Sequence, residues 1–226
     1  MNRSVIPKLL IPYIGEPLSS DYQSACEKIK LTGVSAFIDK INWSDYPYKP
    51  SVQVYAGYSN TYLWLCYDVK KDFFRIGAFL DQEAVWEDSC VEFFMSTEVE
   101  KYQNNVSEEN IVYRNFEYNA LGVCLSACGT ISDRQMLTKE QMERILRFPL
   151  MSKQDLPDEG AVFDWELCVA IPLDLIGLKP GSTFKANFQK CGDLTFQPHY
   201  LTWTTMKAAS PDFHLPQYFG DMELVT

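Results

Sequence analysis

The sequence predicts an all-β fold: an antiparallel β-sandwich of the jelly-roll type, with one or two short peripheral helices. Three observations carry this. Short segments with apolar residues at every second position recur along most of the chain. Turn-forming Gly, Pro, Asn and Ser separate them. Only two segments show helical periodicity, and both are short. At 226 residues, one sandwich domain spanning 1–226 is the natural size, because all-β domains of this length are commonly undivided. Residues 1–50 are expected to form an N-terminal extension packed on it.

Along the chain, residues 19–30 (SSDYQSACEKIK) read as a helix with a Ser or Asp cap and with Tyr22, Ala25 and Ile29 on one face. Residues 34–51 are irregular, broken by Pro47 and Pro50. SVQVYAGY alternates Val52, Val54 and Ala56. Ser59 and Asn60 turn it into TYLWLCYDV, a nearly continuous apolar and aromatic run before Asp68. VWEDSCVEFFMS, residues 85–96, puts Val91, Phe93 and Met95 on one face of a strand and Trp86, Asp88 and Glu92 on the other. A polar loop, residues 97–110, leads to the strand IVYRNFEYNALG. There Asn115, Glu117 and Asn119 share a face opposite Phe116 and Tyr118. LTKEQMERIL has Thr138 and Gln141 at capping-box spacing and Met142, Ile145 and Leu146 on one side, a short surface helix. AVFDWELCVAIP alternates Phe163, Trp165, Leu167, Val169 and Ile171 until Pro172 ends it. STFKANFQKCGD alternates Phe184, Ala186 and Phe188. HYLTWTTM is a further strand, and the tail PDFHLPQYFGDMELV closes the sheet.

Composition narrows the function classes. The formal charge is −10 with no basic stripe, which speaks against nucleic acid and against an anionic membrane surface as partners. Thirteen Tyr, fourteen Phe and five Trp exceed what a core needs, so some aromatic faces are expected at the surface, ready for a ligand. Seven Cys lack zinc spacing and are expected as free thiols, with Cys66, Cys90 and Cys168 small buried residues within strands. The N-terminus lacks the sustained apolar region of a signal peptide, so a cytoplasmic location is expected unless an export signal has been removed. No apolar run approaches a membrane span.

Familiar catalytic signatures are missing: no Walker loop, no G-x-G-x-x-G and no G-x-S-x-G elbow. His199 and His214 have no H-x-x-x-H partner. Asp88 and Glu92 lie about 13 Å apart along a strand, too far to act on one bond. Asp164 and Glu166, roughly 7 Å apart, would suit an inverting pair, although alternating acids on an outer strand face are ordinarily just solvated.

In this order, the segments ending in LCYD, WEDSCVEFF, FEYN, FDWELCVAIP, GSTFKANF, LTWTTM and YFGDMEL resemble the family 9 carbohydrate-binding modules. The resemblance covers roughly residues 52–226. It implies a non-catalytic sugar-binding domain in which a ring stacks between two tryptophans while carboxylates and an amide take its hydroxyls. By matched motif, Trp86 is the first platform and Trp203 the second, Glu92 the hydroxyl-accepting carboxylate, Asn119 the amide and Asp68 the aspartate before the loop. Glu117 stands where the family pattern has an arginine, which changes the hydroxyls the site satisfies. Family members can carry structural calcium in loops, but no ligand set is identifiable here. The implied partner is a mono-, oligo- or polysaccharide. The bland alternative makes Trp86 and Trp203 core residues like Trp165. Two other readings stay open: a glycan hydrolase using Glu166 or Glu92, and a same-fold domain binding a protein partner or haem through His199 or His214. The oligomeric state is not readable from the sequence.

Overall fold

The structure, a computed structural model, describes residues 6–16, 22–104 and 106–225. Its strands are β1 (Lys8–Pro12), β2 (Val34–Phe37), β3 (Lys40–Ile41), β4 (Ser51–Tyr58), β5 (Tyr62–Phe73), β6 (Cys90–Ser96), β7 (Tyr113–Asn119), β8 (Cys124–Gly129), β9 (Arg134–Met136), β10 (Leu146–Pro149), β11 (Val162–Pro172), β12 (Thr183–Cys191), β13 (Tyr200–Thr202) and β14 (Gly220–Val225). They form two facing sheets. One has nine strands on the path β1-β14-β12-β6-β7-β8-β9, with β13 beside β12 and β3 beside β13. The other runs β10-β11-β5-β4-β2. This is the predicted sandwich. Strand pairing is antiparallel except for β1, which lies parallel to β14.

Alternation explains the core. Val91, Phe93 and Met95 of β6, Phe116 and Tyr118 of β7, and Phe184, Ala186 and Phe188 of β12 meet Leu63, Leu65, Tyr67 and Val69 of β5 and Trp165, Leu167, Val169 and Ile171 of β11. Each strand turns one side chain in two toward the partner sheet, so period-2 sequences become an interdigitated layer.

Three short helices occur among the described residues. Helix α1 (Tyr22–Thr32) lays Ala25, Cys26 and Ile29 over Trp64, Cys66 and Cys168 on the outer face of the five-stranded sheet. Its expected cap, residues 19–21, lies outside the described residues. Helix α2 (Val99–Gln103) falls in the segment read as loop, because it buries no residue and so carries no periodic signal. Helix α3 (Lys139–Glu143) has the predicted capping box: Gln141 N donates to Thr138 Oγ1 at 3.3 Å, and Thr138 N donates to Gln141 Oε1 at 2.9 Å. Among the described residues no helix is long and apolar enough to cross a membrane.

Two expectations need correction here. Cys26 and Cys66 form a disulfide, so the thiols are not all free. The packing of α1 on β5 brings together cysteines forty residues apart, which spacing could not foretell. And residues 85–96 are not one strand. Val85–Glu87 form a 3-10 turn and β6 begins at Cys90. The Asp88 carboxylate is the cause: it accepts from Gly77 N at 2.7 Å, Ala78 N at 3.0 Å and the Arg75 guanidinium at 2.8 Å. These bonds dock the segment on the preceding loop instead of the sheet. β5 runs on to Phe73, so that loop begins only at Phe74.

A bulge on β5 creates a buried polar cluster. Between Val69 and Asp72, opposite Trp165 and Phe163, β5 carries one residue more than β11. The extra residue reverses the parity and turns Asp72 inward. Its carboxylate meets Lys190 Nζ at 3.0 Å and Trp165 Nε1 at 2.8 Å. Lys190 also donates to His199 Nε2 at 2.8 Å, while His199 Nδ1 bonds the Gln197 carbonyl at 2.8 Å. His199 is therefore neutral, its pKa pushed down to about 4 by burial and by the Lys190 charge.

Candidate functional site

The outward face of the nine-stranded sheet is polar at its centre. Register places Gln189, Glu92, Glu117 and Leu125 in one row across β12, β6, β7 and β8. The next row is Asn187, Phe94, Asn115, Ala127 and Met136. These residues alternate with the core set, so the strands that hold the sandwich together also present Glu92, Asn115 and Glu117 outward. Loops enclose them. On one side the Trp86 turn is tied to the segment after β12: Asp193 N donates to Trp86 O at 3.2 Å and Leu194 N to Glu87 O at 3.1 Å. On the other side stand Ile131, Arg134 and Met136, with Pro211–His214 beyond them.

The result is a cavity of about 560 Å³, within the range of small-molecule sites. Three aromatic side chains line it: Trp86, 39% exposed, together with Tyr200 and Phe213. Tyr200 and Phe213 lie 6.2 Å apart between ring centres, and Trp43 packs on both, at 6.2 and 6.1 Å. Tyr46 supports Tyr200 at 4.8 Å.

The floor is short of partners. Glu92, 2% exposed, accepts from Cys191 Sγ at 3.1 Å through Oε1, but its Oε2 has no hydrogen-bond partner. Asn115, 1% exposed, donates to Glu117 Oε1 at 3.0 Å while its own Oδ1 accepts nothing. Burial pushes the Glu92 carboxyl well above the usual range, and neighbouring Cys191, Glu117 and Asp193 add to it. Burial likewise raises Glu117 to about 7, with the Asn115 bond and the Arg134 charge pulling the other way. Asp193 is raised to about 6, again chiefly by burial. His214 is pushed down to about 3 by burial and by Arg134.

Of the six residues chosen from the sequence, three line this cavity: Trp86, Glu92 and Glu117. The other three do not. Trp203 shares parity with Leu201 and turns toward the inner side of the sheet, against Phe188 at 6.0 Å and over the α-carbon of Gly220. It lines a separate depression with Phe37, Tyr102 and Tyr218. The two indoles therefore do not face each other, and the side chain of β13 that enters the cavity is Tyr200. Asn119 is fully buried and saturated: its amide donates to Ala78 O and Asp88, and its oxygen accepts from Leu121 N and Val123 N, shaping the turn after β7. Asp68 lies on the outer face of the opposite sheet beside Lys70 at 2.9 Å and Lys30 at 3.8 Å.

Sequence reasoning missed Asn115, Arg134, Asp193, Tyr200 and Phe213 as lining residues. Asn115 was recognisable by its face but not singled out. Arg134 stands on β9 next to β8 and lines the same cavity as Glu117.

The alternatives fare as follows. Glu166 is on the far sheet, held by Lys30 Nζ at 2.6 Å. Asp164 accepts from Lys71 N at 2.9 Å beside the bulge. For haem, His199 is sealed in the interior, and His214 Nδ1 is bonded to Tyr113 Oη at 2.9 Å. Among the described residues two groups bring metal-ligating side-chain atoms within 4.8 Å, Cys90–Glu92–Cys191 and Cys26–Cys66–Glu166. Neither is the all-oxygen set calcium prefers, and in the second both sulfurs already form the disulfide.

Comparison with known proteins bears on the family and the fold. A candidate carbohydrate-binding protein from Bacteroides uniformis is 29% identical, with a TM-score of 0.84 over 96% of this chain and 98% of its own. A family 9 carbohydrate-binding module from Caldicellulosiruptor kristjanssonii, solved with glucose, is 11% identical, with a TM-score of 0.58 over 96% of this chain and 95% of its own. The same organism's module solved with cellotriose is 12% identical, with a TM-score of 0.60 over 97% and 94%. At those identities the last two establish the fold alone. No curated protein matches the chain. Residues 25–224 match the model of carbohydrate-binding family 9, and the chain belongs to that family.

Proposed function

We propose that the cavity is a non-catalytic sugar-binding site, with Trp86 as its exposed platform and Glu92, Asn115 and Glu117 as its hydrogen-bonding floor. One observation carries this. Buried acceptors without partners, Glu92 Oε2 and Asn115 Oδ1, lie in the same cavity as an accessible indole. A pyranose matches both features: its C–H face packs on an aromatic ring and its rim hydroxyls donate to the floor. Leaving such acceptors unmet costs about 1–3 kcal/mol each, which a donor-rich ligand recovers. Family membership supports a saccharide partner, as do the related modules solved with glucose and cellotriose.

Against catalysis stands the geometry of the acids. Glu92 and Glu117 are direct cross-strand neighbours on one floor, so both approach a ligand from the same side. Glycoside hydrolysis requires carboxyl groups flanking the scissile bond.

Calorimetry or tryptophan fluorescence against mono- and disaccharides tests the reading. Trp86→Ala should weaken binding by about tenfold or more, the equivalent of about 1.4 kcal/mol, with unchanged unfolding. No response to any sugar at millimolar concentration overturns it.

A further inference from the structure

The cavity is electrostatically lopsided. Four carboxylates line it, from Glu92, Glu117, Asp193 and Asp212, against one guanidinium, Arg134. Arg134 is at the exposed rim, against His214 and 5.9 Å from the centre of the Tyr113 ring. Glu92 and Glu117 sit directly opposite each other on adjacent strands, where like charges repel. Among the described residues no lysine or arginine is bonded to either. Every other described carboxylate this deeply buried has its cation: Asp72 has Lys190 at 3.0 Å and Asp88 has Arg75 at 2.8 Å.

Unmet acceptors and uncompensated acids ask for the same thing, a donor that carries positive charge. A hydroxyl offers one donor and no charge, whereas an ammonium group offers three donors and a full charge. Resting on the reading of the cavity as a sugar site, we propose that its preferred ligand is a sugar with a free amino group, the ammonium seated between Glu92 and Glu117 and the ring against Trp86. An N-acetylated sugar is disfavoured because its amide is uncharged and brings a carbonyl oxygen toward carboxylates. A uronic acid is disfavoured by repulsion.

The site also fixes the direction of pH dependence. The groups facing the acid pair are Cys90, two residues before Glu92 on β6, Cys191 and Gln189 from β12, Asn115 beside Glu117, Asp193 from the loop and Arg134 from β9, with Tyr200, Asp212 and His214 on the surrounding wall. Burial raises both carboxyls, so seating an ammonium expels protons from the pair. Amine affinity therefore rises with pH until the ligand's own amine begins to deprotonate, near about pH 8 for an ordinary α-amine.

The test is calorimetry with glucosamine, galactosamine and mannosamine, each against its parent hexose and its N-acetyl derivative. One of the amines should bind about tenfold tighter than its parent at about pH 7.5 and lose that advantage toward about pH 5.5. Glu117→Gln, an isosteric change, should narrow the gap to about threefold. A parent hexose that binds as tightly as its amine overturns the amino-sugar assignment and leaves the sugar site standing. A flat pH profile for the amine overturns it as well, on the wild-type protein alone. If none of the sugars binds, both readings fall.

Discussion

Two acid clusters in this protein are equally deep and chemically opposite. At one end of the sandwich, Asp72 is fully buried and fully served: Lys190, Trp165 and the backbone N–H of Phe73 all reach its carboxylate. On the cavity floor, Glu92 and Glu117 are almost as buried, yet one thiol and one amide are their bonded partners. Depth alone therefore does not mark a functional acid. What separates the two is completeness of coordination. A saturated carboxylate belongs to the fold, and an unsaturated one facing a cavity is the kind that the proposed ligand would complete.

The sharpest way to break this contrast is Lys190→Met, which strips Asp72 of its cation. Removing one partner of a buried pair costs about 3–5 kcal/mol, so urea denaturation should show a loss of that size. A loss under about 1 kcal/mol would mean that the interior cluster is no more essential than the floor.

Glu117→Gln should act in the opposite direction. A carboxyl raised in the folded state to about 7 holds a proton there that the unfolded chain has released. Its contribution is present below the unfolded-state value of about 4.3 and is lost as pH rises toward about 7. Wild-type stability from this group should thus fall across that window, and Glu117→Gln should flatten the fall and stabilise the protein at about pH 8 by about 1–3 kcal/mol. Thermal unfolding across the window reads both effects.

The smallest effect belongs to an acid with partial access to water. Lys30 bridges α1 to Glu166 on the outer face of the five-stranded sheet, with both side chains partly exposed. Lys30→Met should change stability by about 1 kcal/mol or less. Chemical denaturation of that variant beside Lys190→Met would rank the two environments directly.

How much of this was legible in the sequence follows from the range of the signal. Alternation in residues 161–172 and 183–191 named core faces correctly, because pleat parity is local. The same parity put Glu92 and Glu117 outward. It also contained a warning about Trp203, which shares its face with Leu201, that motif matching overrode. Asp68 was misassigned because parity says which face of a sheet a residue takes, but not which sheet or what covers it. Asn119 looked like a ligand amide, yet its position before the Ala-Leu-Gly turn is also where an Asn side chain organises backbone. Arg134, Tyr200 and Phe213 enter the cavity from segments up to eighty residues apart, a convergence no local pattern encodes.

The pleat leaves this protein with two ledgers of substitution on the same strands. Along β6 and β7, a change at Val91, Phe93, Phe116 or Tyr118 is judged by whether the chain still folds, while on the proposed reading a change at Glu92, Asn115 or Glu117 is judged by what the molecule grasps. With the walls supplied by loops and short edge strands, such a scaffold can exchange one guest for another without its architecture having to follow.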